Sequence, residues 1–162
     1  LTLGAHMVVL GGKAGSFKEA YEKLENILRN GEALEKFRQF VAAQGGNPDV
    51  ADRPGELLPK APYRITVPSP VEGFVHGIRA EEIGLAAMML GAGRATKESS
   101  IDPAVGVVLA KKVGDSVRRG EILAILHANR EDVADIRQRV ERAFDIRPQR
   151  RKKPRLIHGV AE

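Results

Sequence analysis

The sequence predicts an α+β chain: a helical segment over residues 1–58, a strand-rich domain over residues 59–147 and a basic tail over residues 148–162. Three observations carry this expectation. Apolar residues recur at helical spacing up to about residue 44. After a proline-rich stretch the period shortens to two. Gly-Asp and lone glycine turns then punctuate short apolar runs.

The elements follow in order. Leu1, Leu3, Met7, Val8 and Leu10 repeat at helical spacing, yet no Ser, Thr, Asp or Asn stands ahead of them as a cap. A helix that opens in mid-pattern, on Leu1 rather than Met, leads us to expect the C-terminal piece of a longer polypeptide. Ser16 and Glu19 form an S-x-x-E capping box. Phe17, Ala20, Tyr21, Leu24, Ile27 and Leu28 then line one face, and Asn30-Gly31 ends the helix. A third helix is expected from Glu32 to Gln44, with Leu34, Phe37 and Val41 inward and Gly45-Gly46 as its stop. Pro48, Pro54, Pro59 and Pro62 mark residues 45–62 as a linker, with a boundary near Leu58.

Beyond the linker, Tyr63, Ile65 and Val67 alternate with polar residues, and Val71, Gly73, Val75 and Gly77 repeat the pattern after Pro68 and Pro70. Ala80 to Leu90 reads as a helix with Ile83, Ala86, Ala87 and Leu90 on one face, and Val105 to Leu109 as an apolar strand. The most specific local pattern is Val113-Gly114-Asp115-Ser116-Val117-Arg118-Arg119-Gly120-Glu121-Ile122-Leu123-Ala124-Ile125. Two turns flanked by strands are its reading, a cadence found in barrel-sandwich domains. Ile136, Val140 and Phe144 mark a last helix, and Leu156 to Val160 an edge strand.

Composition bounds the chemistry. The 162 residues suit one domain, or one domain plus a fragment, and suffice for a core without metal or disulfide staples. With no Cys, the chain has no disulfide scaffold, thiolate zinc site or Cys nucleophile, and it fits a reducing, intracellular setting. No apolar run reaches the roughly 18 residues of a membrane helix, and LTLGAHMVVL lacks the charged start and cleavage site of a signal peptide. The net charge of +5 is uneven: residues 147–155, RPQRRKKPR, hold six positive charges, and the remainder sums to −1. That run contains two prolines and no aromatic residue, so a solvated tail rather than a nucleic-acid partner is expected.

Candidate sites are few. Gly11-Gly12-Lys13-Ala14-Gly15-Ser16 places its Lys before the last Gly, between helices, and reads as a helix–helix turn rather than a phosphate loop. Gly91-Ala92-Gly93 follows a helix and lacks the third glycine of a dinucleotide fingerprint. His6, His76, His127 and His158 show no metal-ligand spacing. No G-x-S-x-G elbow exists, and no carboxylate sits in an apolar context that would tune it for proton transfer. A biotinyl- or lipoyl-type carrier would need a modified Lys on an exposed hairpin; Lys111-Lys112, between Ala110 and Val113, lies just before the turn. No catalytic, substrate-binding or metal residue is assigned, and the residues alone describe a structural or interaction module.

Five separated motifs carry a family resemblance. Leu1-Thr2-Leu3-Gly4-Ala5-His6-Met7-Val8, Val41-Ala42-Ala43-Gln44-Gly45-Gly46, Leu90-Gly91-Ala92-Gly93-Arg94, Ile101-Asp102-Pro103-Ala104-Val105-Gly106 and Lys112-Val113-Gly114-Asp115 resemble, in one order, the C-terminal part of the pyrimidine-nucleoside phosphorylases of the thymidine phosphorylase family. The resemblance runs from Leu1 to about Arg147. It implies a cytoplasmic, homodimeric pentosyltransferase of nucleoside salvage. Such an enzyme cleaves thymidine, uridine or deoxyuridine with orthophosphate to the free base and a pentose 1-phosphate. The family's phosphate loop, base-binding residues and monovalent cation site lie in an earlier portion, so the resemblance carries no catalytic residue onto this sequence. It implies that residues 59–147 form the family's C-terminal α/β-hammerhead domain and that residues 1–45 are helices ending the core before it. The expected partners are the N-terminal portion of the same enzyme and a second copy, and no membrane.

Overall fold

The structure, a computed structural model, describes residues 1–94 and 96–160. The chain divides into two compact units, Leu1–Leu58 and Pro59–Glu162.

The first unit is helical: α1 (Thr2–Leu10), α2 (Phe17–Arg29), α3 (Glu32–Ala43), a 3-10 turn (Pro48–Ala51) and α4 (Pro54–Leu57). Small residues let α1 and α2 approach. Ala5 and Ala20 are fully buried, and a Cβ on Gly4 would lie 3.1 Å from Leu24 Cδ1. Ser16 Oγ accepts the Glu19 N–H (3.2 Å), and Glu19 Oε2 accepts the Gly15 N–H (2.9 Å), so the expected capping box forms with its return bond one residue early. At the end of α3, Gly45 takes φ +77°, and the N–H groups of Gly46 and Gly45 donate to Val41 O (2.9 Å) and Ala42 O (3.0 Å). This pair of bonds is a Schellman stop, and the left-handed φ is why glycine stands there.

Two expectations fail in this unit. Residues 47–58 are not a plain linker. Pro48 and Pro54 each open a helical turn, where the missing proline N–H costs nothing. The Arg38 guanidinium fixes the segment by donating to both Asp52 oxygens (2.9 and 2.6 Å) and to Glu35 (3.0 Å). Leu34 and Phe37 are not inward but 42% and 47% exposed, with Phe40 at 61%. The helical period correctly found a face, but no element of the unit covers it. Leu3, Met7 and Leu10 of α1 are likewise exposed, at 67%, 71% and 87%. Apolar surface of this extent is what an interface looks like before it is covered.

The second unit holds β1 (Tyr63–Pro68), β2 (Gly73–Ile78), α5 (Ala80–Ala87), β3 (Gly106–Leu109), β4 (Ser116–Val117), β5 (Ile122–Ala128), α6 (Ala134–Ala143) and β6 (Phe144–Arg147). One antiparallel sheet has the order β1-β5-β3 and the other β4-β2-β6. Leu126 of β5 stands opposite Ile65 on one side and Val107 on the other. The register of β1 slips between Val67 and Pro68. Val67, Leu123 and Leu126 from the first sheet, Val75 and Val117 from the second, and Ile136 and Val140 from α6 form one buried cluster. Ile136, Val140 and Ala143 recur at i, i+4 and i+7, which turns one stripe of α6 inward. No helix among the described residues is long and apolar enough to cross a membrane.

Several elements of this unit differ from what the sequence predicts. Phe144 does not continue the last helix; it opens β6, which pairs with β2 at Ile78. Its burial serves the sheet, and an apolar residue at i+8 looks the same either way. The helix from Ala80 loosens into a π turn over Met88–Ala92, closed by Gly91 at φ +109°. Val71 lies outside β2 and is 47% exposed. Leu156 to Val160 form no strand, because nothing pairs with them: residues 148–160 have no regular structure.

Leu126 touches both neighbouring strands and is fully buried. Leu126→Ala is expected to lower unfolding free energy by about 2–5 kcal/mol, from lost burial and the void left behind. Urea titration followed by circular dichroism measures it; a loss under about 1 kcal/mol contradicts this packing.

Candidate functional site

The residues that gave the sequence its most specific pattern build a clip at the turn before β4. Gly114 takes φ +91°, and its N–H donates to Val75 O (2.8 Å), while the Val75 N–H donates to Asp115 O (2.9 Å). The turn is thereby stitched to β2. Asp115 Oδ2 accepts the Lys112 N–H (2.8 Å), closing the turn on itself. At the second turn, the Gly120 N–H donates to Ser69 O and the Ser69 N–H to Glu121 O, both at 2.8 Å. Ser69 is a buried polar residue, and its hydroxyl donates to Val71 O (2.6 Å). Lys111 Nζ pairs with Glu121 and donates to Ser116 O (3.0 Å), with a side chain only 18% exposed. Lys111 held this way is not presented for biotinyl or lipoyl attachment, whereas the adjacent Lys112 is exposed.

The other motifs do comparable work. Asp102 accepts the Ala104 N–H (2.8 Å) and the Asn129 amide (2.6 Å), which ties the loop before β3 to the end of β5. Gly11 to Ser16 joins α1 to α2, and the Glu19 carboxylate already occupies the Gly15 N–H. Gly91 ends the helical run of α5, and its carbonyl accepts the Asp102 N–H (3.0 Å). The motifs from Val41 to Gly46, from Leu90 to Arg94, around Asp102 and around Gly114 are therefore caps, stops and turns.

Each histidine has its own surroundings within its unit. The His6 ring lies 4.7 Å from that of Phe17, tilted by 42°. His76 Nε2 is 2.6 Å from Gln149 O. His127 sits on β5 opposite Arg64 and Gly106, and His158 lies in the exposed tail. Among the described residues, no group of three His, Asp or Glu could hold a metal ion.

Electrostatics point the same way. The Lys153 ammonium, then the Lys112 N–H, hold the Asp115 carboxyl below the usual carboxylate range. Lys111 and the Arg118 N–H do so for Glu121, the Ala104 N–H and Asn129 for Asp102, Arg147 for Asp145 and Arg38 for Asp52. Among the described residues, each displaced carboxyl is displaced downward, toward a fixed anion. A general acid needs the opposite displacement, which burial in an apolar pocket would supply.

Residues 74–147 match the family described as Pyrimidine nucleoside phosphorylase C-terminal domain. Over 160 residues the chain is 52% identical to the pyrimidine-nucleoside phosphorylase of Bacillus subtilis (strain 168), a span of 99% of this chain and 36% of that protein. Identity is 48% over 160 residues to the enzyme of the same name from Staphylococcus haemolyticus (strain JCSC1435), again 99% of this chain and 36% of that protein. It is 48% over 158 residues to that of Geobacillus stearothermophilus, 98% and 36%. The chain thus spans 36% of the length of these curated relatives.

The family match stops at Arg147, yet Lys153 reaches back to Asp115, Nζ to Oδ1 at 2.6 Å. A Cβ on Gly114 would lie 2.7 Å from Lys153 Cγ, so only glycine admits this approach. The tail expected as freely solvated is exposed but held at this point and at Gln149. The folded pKa values of Asp102, Asp115 and Glu121 lie below the unfolded values of about 4. Their stabilisation is therefore present above that value and lost as pH falls through the folded values. The urea midpoint is expected to fall as pH drops below about 5, and Asp115→Asn should flatten that fall. An unchanged acid limb in the variant contradicts the assignment.

Proposed function

The chain matches the C-terminal part of the pyrimidine-nucleoside phosphorylases along nearly its whole length, and on that premise we propose that it is the C-terminal portion of a cytoplasmic, homodimeric pentosyltransferase. The reaction is phosphorolysis: an orthophosphate oxygen bonds to the pentose C1′ as the bond from C1′ to the pyrimidine nitrogen breaks. The bonding pair leaves with the base, giving free pyrimidine and pentose 1-phosphate. Thymidine, uridine and deoxyuridine are the proposed substrates. Residues 59–147 are the α/β-hammerhead domain, residues 1–58 the end of the preceding core with its linker, and residues 148–162 a basic tail, which the alignments over 160 residues show is not confined to this sequence.

In this reading the chain supports the reaction and supplies no catalytic or substrate-binding residue. Orthophosphate and a monovalent cation are bound by the N-terminal portion. The displaced carboxylates here fit no cation, since each is already engaged by a Lys, an Arg, an amide or backbone N–H groups. A loose, oxocarbenium-like transition state depends on positioning and on exclusion of water. A rigid body of two sheets, clipped at its turns, holds a closing domain in shape without touching substrate. The exposed faces of α1 and α3 are the surface that the N-terminal portion covers. The single observation that carries the proposal is the extent of the match.

The chain incubated with thymidine and orthophosphate is expected to release no thymine above the blank, measured by chromatography. Addition of the separately produced N-terminal portion of the Bacillus subtilis relative is expected to restore release. Thymine from the chain alone, or continued silence of a mixture whose two parts associate, overturns the proposal. Sedimentation of the chain alone is expected to show concentration-dependent self-association through the uncovered helices; a rigid monomer contradicts that part.

A further inference from the structure

The fold brings to the basic tail the aromatic residue that its sequence lacks. Phe74, on β2, is half-buried and lines two depressions. One, of about 330 Å³, is walled by Arg118 and Pro148 and also touches Glu72. The other, of about 460 Å³, is walled by Arg150, Lys153 and the Gly114 turn. Arg151 and Lys152 line a third depression that shares Gly114 and Lys153. The charge here is one-sided. Asp115 and Asp145 are already engaged by Lys153 and Arg147, at 2.6 Å each. Arg118, Arg150, Arg151 and Lys152 make no ion pair among the described residues, which leaves four cations against Glu72.

An aromatic surface between guanidinium groups receives a nucleobase on its face while phosphates meet the cations. A duplex keeps its bases stacked and offers such a ring nothing. An anionic membrane would favour a fully exposed apolar side chain, and Phe74 is half-buried. We propose that Phe74, Arg118 and the segment from Arg150 to Lys152 form a binding site for single-stranded nucleic acid. This site is independent of the phosphorolysis reading and is tested without nucleoside.

The experiment is fluorescence anisotropy of the full chain with labelled oligouridylate and oligothymidylate of about 15 nucleotides, a length that spans one such groove. Four cations predict a log–log dependence of affinity on KCl with a slope of about −3. The triple variant R150A/R151A/K152A, altered only in the exposed tail, should shallow that slope by about two. Phe74→Leu should weaken binding about five-fold or more at fixed salt and leave the slope unchanged, whereas Phe74→Tyr, which keeps a ring, should bind like the parent. Circular dichroism establishes that each variant is folded; if Phe74→Leu is not, the Tyr variant and the triple variant still decide. Absence of binding at about 50 mM KCl overturns the proposal. So does equal affinity for a duplex, for heparin or for phosphatidylserine vesicles, and so does indifference to Phe74→Leu in a folded protein.

Discussion

Strand β5 is the constraint on which the second unit depends. It is the middle strand of its sheet, hydrogen-bonded to β1 on one side and β3 on the other. Leu123, Ala124, Leu126 and Ala128 are all buried within its seven residues. A central strand satisfies its backbone on both edges, so its register fixes two neighbours at once. The two sheets then share a single apolar cluster, in which Val75 and Val117 of the second sheet meet Leu123 and Leu126 of the first together with α6. Little of this leaves room for a polar group. Ser69 is the one buried polar residue among those described, and its hydroxyl is satisfied locally by Val71 O.

The division of labour within the unit follows from that packing. Strands too short to be stable alone, such as the two residues of β4, are held by side chains and backbone groups at the turns. Asp115, Asp102 and Glu121 each accept at least one backbone N–H and meet a cation or an amide. Carboxylates used in this way are anionic throughout the neutral range and donate no proton. In these positions the three carboxylates close turns and tie loops to strands.

Much of this was legible in the residues. The capping box at Ser16, the glycine stops at Gly31 and Gly45, the turns at Gly114 and Gly120 and the inward stripe of Ile136 and Val140 all stand where local chemistry puts them, because each depends on neighbours within about four residues. The family resemblance too rests on such short motifs, and the comparison with known proteins supports it. What the sequence hid was non-local. Phe144 belongs to a strand because β2 lies beside it, which no spacing reveals. The helical period of α3 marks a face as apolar without saying what covers it, so Leu34 and Phe37 read as core. The groove at Phe74 joins residues more than 70 positions apart, and a scan of the basic run for aromatic neighbours in sequence finds none.

The slip of β1 at Pro68 has a further effect. β1 lies at the margin of its sheet, and a margin with free donors and acceptors is a template on which another chain can grow. Pro62 stands just before the strand and Pro68 at its end, and neither carries an N–H. An incoming strand finds only Tyr63 to Val67 to pair with, bracketed by two residues that cannot donate. The two prolines thereby confine the stretch of this margin on which a further strand could pair to five residues.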